Sequence, residues 1–199
     1  MKKTSLILVL FLLIFKISLA STYSSDPQMF VKELVDDSIN KLSDKNLSEE
    51  EKVNFIENVA IENVDINALG LYTLGELRKS TDKNTLEKYQ ETFTKYFLKS
   101  LTSRLTDYSS NKFEIINAEK KSSNYTIVKS KIIANDKQPD IKIDWRIYTK
   151  NPDKPLIRDL IIEGLSLART QKEEFSSILN SNNNDINILI AKLEEFING

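Results

Sequence analysis

The chain is predicted to fold as an α+β protein, with helices first, an antiparallel sheet in the middle and helices last. Three observations lead there. Apolar residues recur at helical spacing to about residue 108, the period changes to two between about 113 and 163, and helical spacing returns from about 165 to 198. The links inside the alternating stretch are short and polar, so neighbouring strands run antiparallel and form a four-stranded meander. The flanking helices are expected to cover one face of that sheet.

The extreme N-terminus stands apart from this pattern. Lys2 and Lys3 form a positive n-region, Leu6 to Phe15 is an unbroken apolar run, and Ser18-Leu19-Ala20 offers small residues at a signal peptidase site. The run is short for a bilayer crossing and Lys16 closes it, so residues 1–20 read as a cleavable signal and 21–199 as the mature, exported domain. With no cysteine there is nothing to acylate, which argues against a lipoprotein anchor.

Composition narrows the chemistry. Loss of Lys2, Lys3 and Lys16 leaves 25 basic against 29 acidic residues, a net charge of about -4 that disfavours nucleic acid as a partner. A mature length of about 179 residues suits one domain with a sizeable core. Zero cysteines remove disulfides and thiol chemistry, and zero histidines remove the commonest general base and zinc ligand. Catalysis would have to rest on carboxylates, lysines and hydroxyls, among which no nucleophile elbow, phosphate loop or metal-spaced cluster occurs.

Taken in order, Asp26 caps a first helix with Pro27 at its first position, and Phe30, Leu34, Val35, Ile39 and Leu42 mark its apolar stripe. Ser48 and Glu51 form a capping box for a second helix carrying Val53, Phe55, Ile56 and Val59. Val64 to Gly75 reads as short apolar helical turns broken by Gly70 and Gly75, a place of close approach for backbones or a ligand. A long helix follows from about Lys83 to Tyr108, with a stripe of Leu86, Tyr89, Phe93, Tyr96, Phe97, Leu101 and Leu105.

The expected strands are Phe113 to Lys120, Tyr125 to Ala134, Ile141 to Tyr148 and Leu156 to Glu163. In the third, Ile141, Ile143, Trp145 and Ile147 face one way and Lys142, Asp144 and Arg146 the other. Gly164 is expected to end the last strand, Ser166 to cap a helix through Phe175 to Leu179, and Asp185 to cap a final helix with Leu189, Leu193 and Phe196.

With these elements in place, the chain resembles the MlaC family, periplasmic phospholipid-shuttle components of the Mla lipid-asymmetry pathway, also called the toluene-tolerance family. The resemblance is carried by Asp26-Pro27 with Phe30 and Val31, Val64-Asp65 leading to Leu74-Gly75, Phe93 and Tyr96, and the strand Ile143-Asp144-Trp145-Arg146. Its most specific part is Asp159-Leu160-Ile161-Ile162-Glu163-Gly164-Leu165-Ser166, and Phe175, Leu189 and Leu193 fit the closing helices. Two stretches depart from the family: Glu76-Leu77-Arg78 after the glycine, and Leu156 to Arg158, which lacks the usual aromatics.

The resemblance implies a nuclear-transport-factor-2-like arrangement of sheet and helices, an acyl-chain cavity between them, no enzymatic activity and no cofactor beyond bound phospholipid. It also implies a periplasmic monomer whose partners are an inner-membrane ABC transporter complex with its substrate-binding ring and an outer-membrane lipoprotein–porin complex. Leaving roughly 30 methylenes of a phospholipid in water would cost on the order of 25 kcal/mol, so a soluble carrier must enclose the tails in an apolar site. The candidate lining is Val128, Ile132, Ile143, Trp145, Ile147, Leu160 and Ile162 from the strands, facing Tyr72, Leu74, Phe93, Phe97 and Leu101 from the helices.

Such one-sided rows are also what an ordinary core needs. An interaction module with a filled core therefore stands as one alternative. A small exported hydrolase or isomerase on the same fold is another, because Asp159 and Glu163 share the strand face opposite Leu160 and Ile162. The structural reading of that pair has Asp159 bonded to Arg146 and Glu163 bonded to backbone amides.

Overall fold

Short polar side chains set the start of nearly every helix. In the computed structural model, which describes residues 23–105, 112–133 and 139–199, Asp26 accepts hydrogen bonds from the Gln28 and Met29 N–H groups and opens α1 (Pro27–Ser43). Ser48 and Glu51 close a reciprocal capping box at α2 (Glu49–Asn63), at 3.2 and 2.8 Å. Asp65 caps α3 (Ile66–Thr73), a 3-10 turn covers Gly75–Lys79, and α4 is the long helix Lys83–Leu105. Ser166 caps α5 (Leu167–Asn180) and Asp185 caps α6 (Ile186–Asn198). The expected signal segment 1–20, the stretch to Tyr108 and Ala134 lie outside the described residues.

The sheet is antiparallel in the order β1 (Lys112–Ser122), β2 (Tyr125–Ile133), β3 (Ile141–Tyr148), β4 (Leu156–Ile162) and β5 (Leu165–Ser166). The meander is as expected, with one strand more. Glu163 (φ 48) and Gly164 (φ 85) are successive left-handed residues. They turn the chain back in a two-residue hairpin, so Gly164 makes a turn where a strand end was expected and Leu165 pairs with Ile162.

One face of the sheet is covered by α1. Phe30, Val31 and Leu34 bury against Val128, Ile143, Trp145, Ile147 and Ile157, with Trp145 donating to Ser130 Oγ at 2.8 Å. A second apolar core, separate from this one, is built by α3 to α6 around Tyr89, Phe93, Phe175, Leu179, Leu189 and Leu193. Val64, at the α2–α3 junction, packs against both. There the chain is pinned to the sheet by a parallel bridge, Val64 to Ile157, and by the Asp65 N–H donating to the Ile157 carbonyl at 2.9 Å.

Gly70 lies inside α3 and does not break it. A Cβ there would sit 2.6 Å from Gln90 Oε1 and 2.9 Å from the Phe93 ring, so the close approach foreseen at this glycine is made by α4 side chains.

Candidate functional site

The strand residues singled out from the sequence share one face and one core. Val128, Ile143, Trp145 and Ile147 are buried, and Ile132, Leu160 and Ile162 are half-buried against them. The helical residues gather elsewhere: Leu74 and Phe93 are buried in the second core and Phe97 packs on it. Leu101 is half-buried, and Tyr72 is 41% exposed with the Lys172 ammonium 5.0 Å from its ring centroid. The two sets therefore do not face one another, a correction to the expected arrangement. Its cause is α1, whose own apolar stripe occupies the sheet face that α4 was expected to meet.

Between the cores, on the sheet's other face, lies a pocket of about 190 Å³ lined by both charged and apolar side chains. Ala68, Leu69 and Tyr72 of α3 form one wall, Ala168 of α5 a second, and Tyr125, Arg146, Arg158 and Asp159 of the sheet the third. A shallow groove of about 720 Å³ along α5 adjoins it through Tyr72 and carries Arg169, Lys172 and Glu173.

A β-bulge builds the sheet wall. Arg146 pairs with Asp159 but Ile147 pairs with Ile157, so Arg158 is the extra residue. Its guanidinium donates from Nε and Nη2 to Asp65 Oδ2 at 2.8 and 2.7 Å, and from Nη1 to the Tyr125 hydroxyl at 3.1 Å. It also lies 3.4 Å from the centroid of the Tyr148 ring. Burial alone would pull the Arg158 pKa down, but the bonds to Tyr125 and Asp65 outweigh it and hold the pKa above its ordinary value. The other Asp65 oxygen accepts the Ala68 N–H at 3.2 Å, so one carboxylate serves both the α3 cap and the sheet.

Asp159 is buried and fully engaged. It accepts from the Ser166 hydroxyl at 2.7 Å and from the Ala168 N–H at 3.0 Å, with Arg146 Nη1 at 3.4 Å. The Glu163 carboxylate accepts the Lys142 N–H. Both bonds read from the sequence, Asp159 to Arg146 and Glu163 to a backbone amide, are present. Elsewhere, burial pushes the Tyr89 hydroxyl far above its usual pKa while it shares a 2.7 Å hydrogen bond with Thr73.

Sequence reading missed the Arg158 cluster, although a signal was present. Strict alternation from Leu160 and Ile162 would send Arg158 into the apolar face, and a bulge is the local geometry that releases it. Among the described residues no group of three or more His, Cys, Asp or Glu side chains is placed to hold a metal ion, and no helix is long and apolar enough to cross a membrane.

The fold and this site define an α+β protein in which a helix-backed meander meets a separate helical core along a polar seam. The chain belongs to the MlaC protein family, whose sequence model matches residues 32–195. A phospholipid-binding protein from Ralstonia solanacearum, solved in complex with a phospholipid, superposes with a TM-score of 0.70 at 18% identity, covering 85% of this chain and 96% of that one. At that identity the likeness establishes the shared fold. No curated protein matches the sequence.

Proposed function

We propose that the protein is a phospholipid carrier and not an enzyme. The observation that carries the reading is the division of the apolar interior into two cores that meet at Val64 in a protein of this family. A single filled core would have to be broken to admit acyl chains, whereas two cores can part along the seam between them. On the helical side Leu69 packs on its core and also lines the pocket between the two. The phospholipid held by the Ralstonia solanacearum protein of the same fold supports the same reading.

The carboxylate pair argues in the same direction. Asp159 spends its oxygens on Ser166, Ala168 and Arg146, and Glu163 on a backbone amide, which leaves neither placed as a general base. Within this proposal the carrier works in the periplasm after removal of residues 1–20, collecting lipid from an inner-membrane ABC transporter complex and exchanging it with an outer-membrane lipoprotein–porin complex. Contacts with either are transient, since tight binding at one end would stop the cycle.

Organic extraction of the purified mature protein followed by mass spectrometry tests the proposal. Near-stoichiometric phospholipid is the expected result. An empty protein that also fails to take up lipid from vesicles would overturn it.

A further inference from the structure

The seam pocket has a chemistry of its own. Asp65 and Asp159 are both committed: the first to Arg158 and the α3 cap, the second to Ser166, Ala168 and Arg146. Of the cations around them, Arg158 is spent on Asp65 and Tyr125, whereas Arg146, Arg169 and Lys172 are not. Arg146 makes one long contact, 3.4 Å to Asp159, and its side chain is 44% exposed, so most of its five N–H donors remain unspent. Among the described residues, the Tyr72 hydroxyl and the Arg169 guanidinium have no hydrogen-bond partner, and Lys172 has no ion pair.

Charge and size agree. Arg146, Arg158, Arg169 and Lys172 line the pocket and its groove against Asp159, Glu173 and the Asp65 paired with Arg158, an excess of one positive charge on a chain whose net charge is -1. A volume of about 190 Å³ is below the usual span of roughly 300–1,000 Å³ for drug-sized ligands and suits a compact polar group. The α3 and α5 walls contribute Ala68, Leu69 and Ala168 as apolar lining, and Leu69 packs on the helical core.

We propose that this pocket binds the phosphodiester of the carried lipid's headgroup, with Arg146 as the main donor and Tyr72 and Lys172 at the rim. The inference rests on the carrier reading above. A guanidinium offers paired N–H groups to phosphate oxygens, and the phosphate would anchor the lipid where the two cores part. The headgroup's variable end points out along the groove of Arg169 and Lys172.

The test is calorimetric titration of the full mature protein with three probes: a soluble short-chain phosphatidylglycerol, the diacylglycerol of the same chain length, and inorganic phosphate. The phospholipid is expected to bind at least ~10-fold more tightly than the diacylglycerol, and Arg146→Gln to erase that gap while leaving diacylglycerol affinity unchanged. Lys172→Gln, on the exposed rim, is expected to narrow the gap a few-fold and keeps the test decisive if the first variant folds poorly. Equal affinity for both lipids in the parent, or a gap intact in both variants, overturns the pocket while the carrier reading stands.

A parent that binds neither lipid overturns the carrier reading and the headgroup assignment together. Inorganic phosphate binding as tightly as the phospholipid assigns the pocket to a free anion and overturns the headgroup source. An Arg146→Gln protein that keeps its lipid preference but loses capture by a membrane complex assigns the arginine to protein docking and equally overturns the proposal.

Discussion

Asp159 concentrates more of the structure's polar bonding than its neighbours in the family-like run around it. It is buried, and removing it leaves the Ser166 hydroxyl, the Ala168 N–H and Arg146 without their acceptor. Asp159→Ala is therefore expected to destabilise the fold by about 3 kcal/mol in urea unfolding, and Asp159→Asn by less, because the amide oxygen still accepts. If the residue is structural, the folded Asn variant keeps its lipid content, whereas a catalytic carboxylate would lose turnover by orders of magnitude with binding intact. Legibility at this scale follows locality. The caps at Asp26, Ser48, Ser166 and Asp185 were readable because donor and acceptor are at most three residues apart. The Trp145 bond to Ser130 spans 15 residues and exists only through the β2–β3 register, so no local pattern announces it.

Among the elements, the hairpin at Glu163–Gly164 and the α3–α4 contact at Gly70 make opposite demands on glycine. Gly164 has φ 85, and a Cβ placed there would meet nothing within 4 Å, so Gly164→Ala is expected to cost about 1 kcal/mol through backbone strain alone. Gly70→Ala gains helix propensity but drives a methyl into Gln90 and Phe93, and a net loss of roughly 1–3 kcal/mol in thermal or urea unfolding is expected. The strands were legible because alternation is a strong signal, and β3 runs from Ile141 to Tyr148 as the alternation predicts. The bulge at Arg158 was not, because alternation assumes an unbroken pleat. Nor was the packing of α1 on the sheet, since several apolar helices compete for one face and periodicity does not say which arrives there.

At the scale of the whole molecule, the seam at Val64 becomes a mechanical prediction. A chain with no cysteine permits a clean lock, and Val64 and Ile157, paired in a parallel bridge, are the positions at which to place it. The oxidised Val64→Cys/Ile157→Cys protein is expected to exchange lipid with fluorescent vesicles at least ~10-fold more slowly than its reduced form, because parting of the cores is then the gated step. Equal rates in the two forms would show that the cores need not separate there. The apolar rows were legible as rows, because they repeat along single elements, but which row meets which was not, and of the expected lining only Tyr72 borders the pocket. The pocket's polar part was not legible, because Asp65 and Arg158 are 93 residues apart and meet only after the sheet and the α2–α3 junction have docked.

The in-order meander has a kinetic consequence. Every ladder of the sheet joins strands that are neighbours in the sequence, so its pairing closes short loops, while the links through Asp65, Val64 and Ile157 close a very long one. The β2–β3 hairpin is thus expected to be formed in the folding transition state, and the docking of α3 on β4 to follow it. In stopped-flow chevrons, Ile143→Val should chiefly slow refolding, whereas Asp65→Asn should chiefly hasten unfolding. The contact completed last on the way to the native state would then be the one that yields first when it opens.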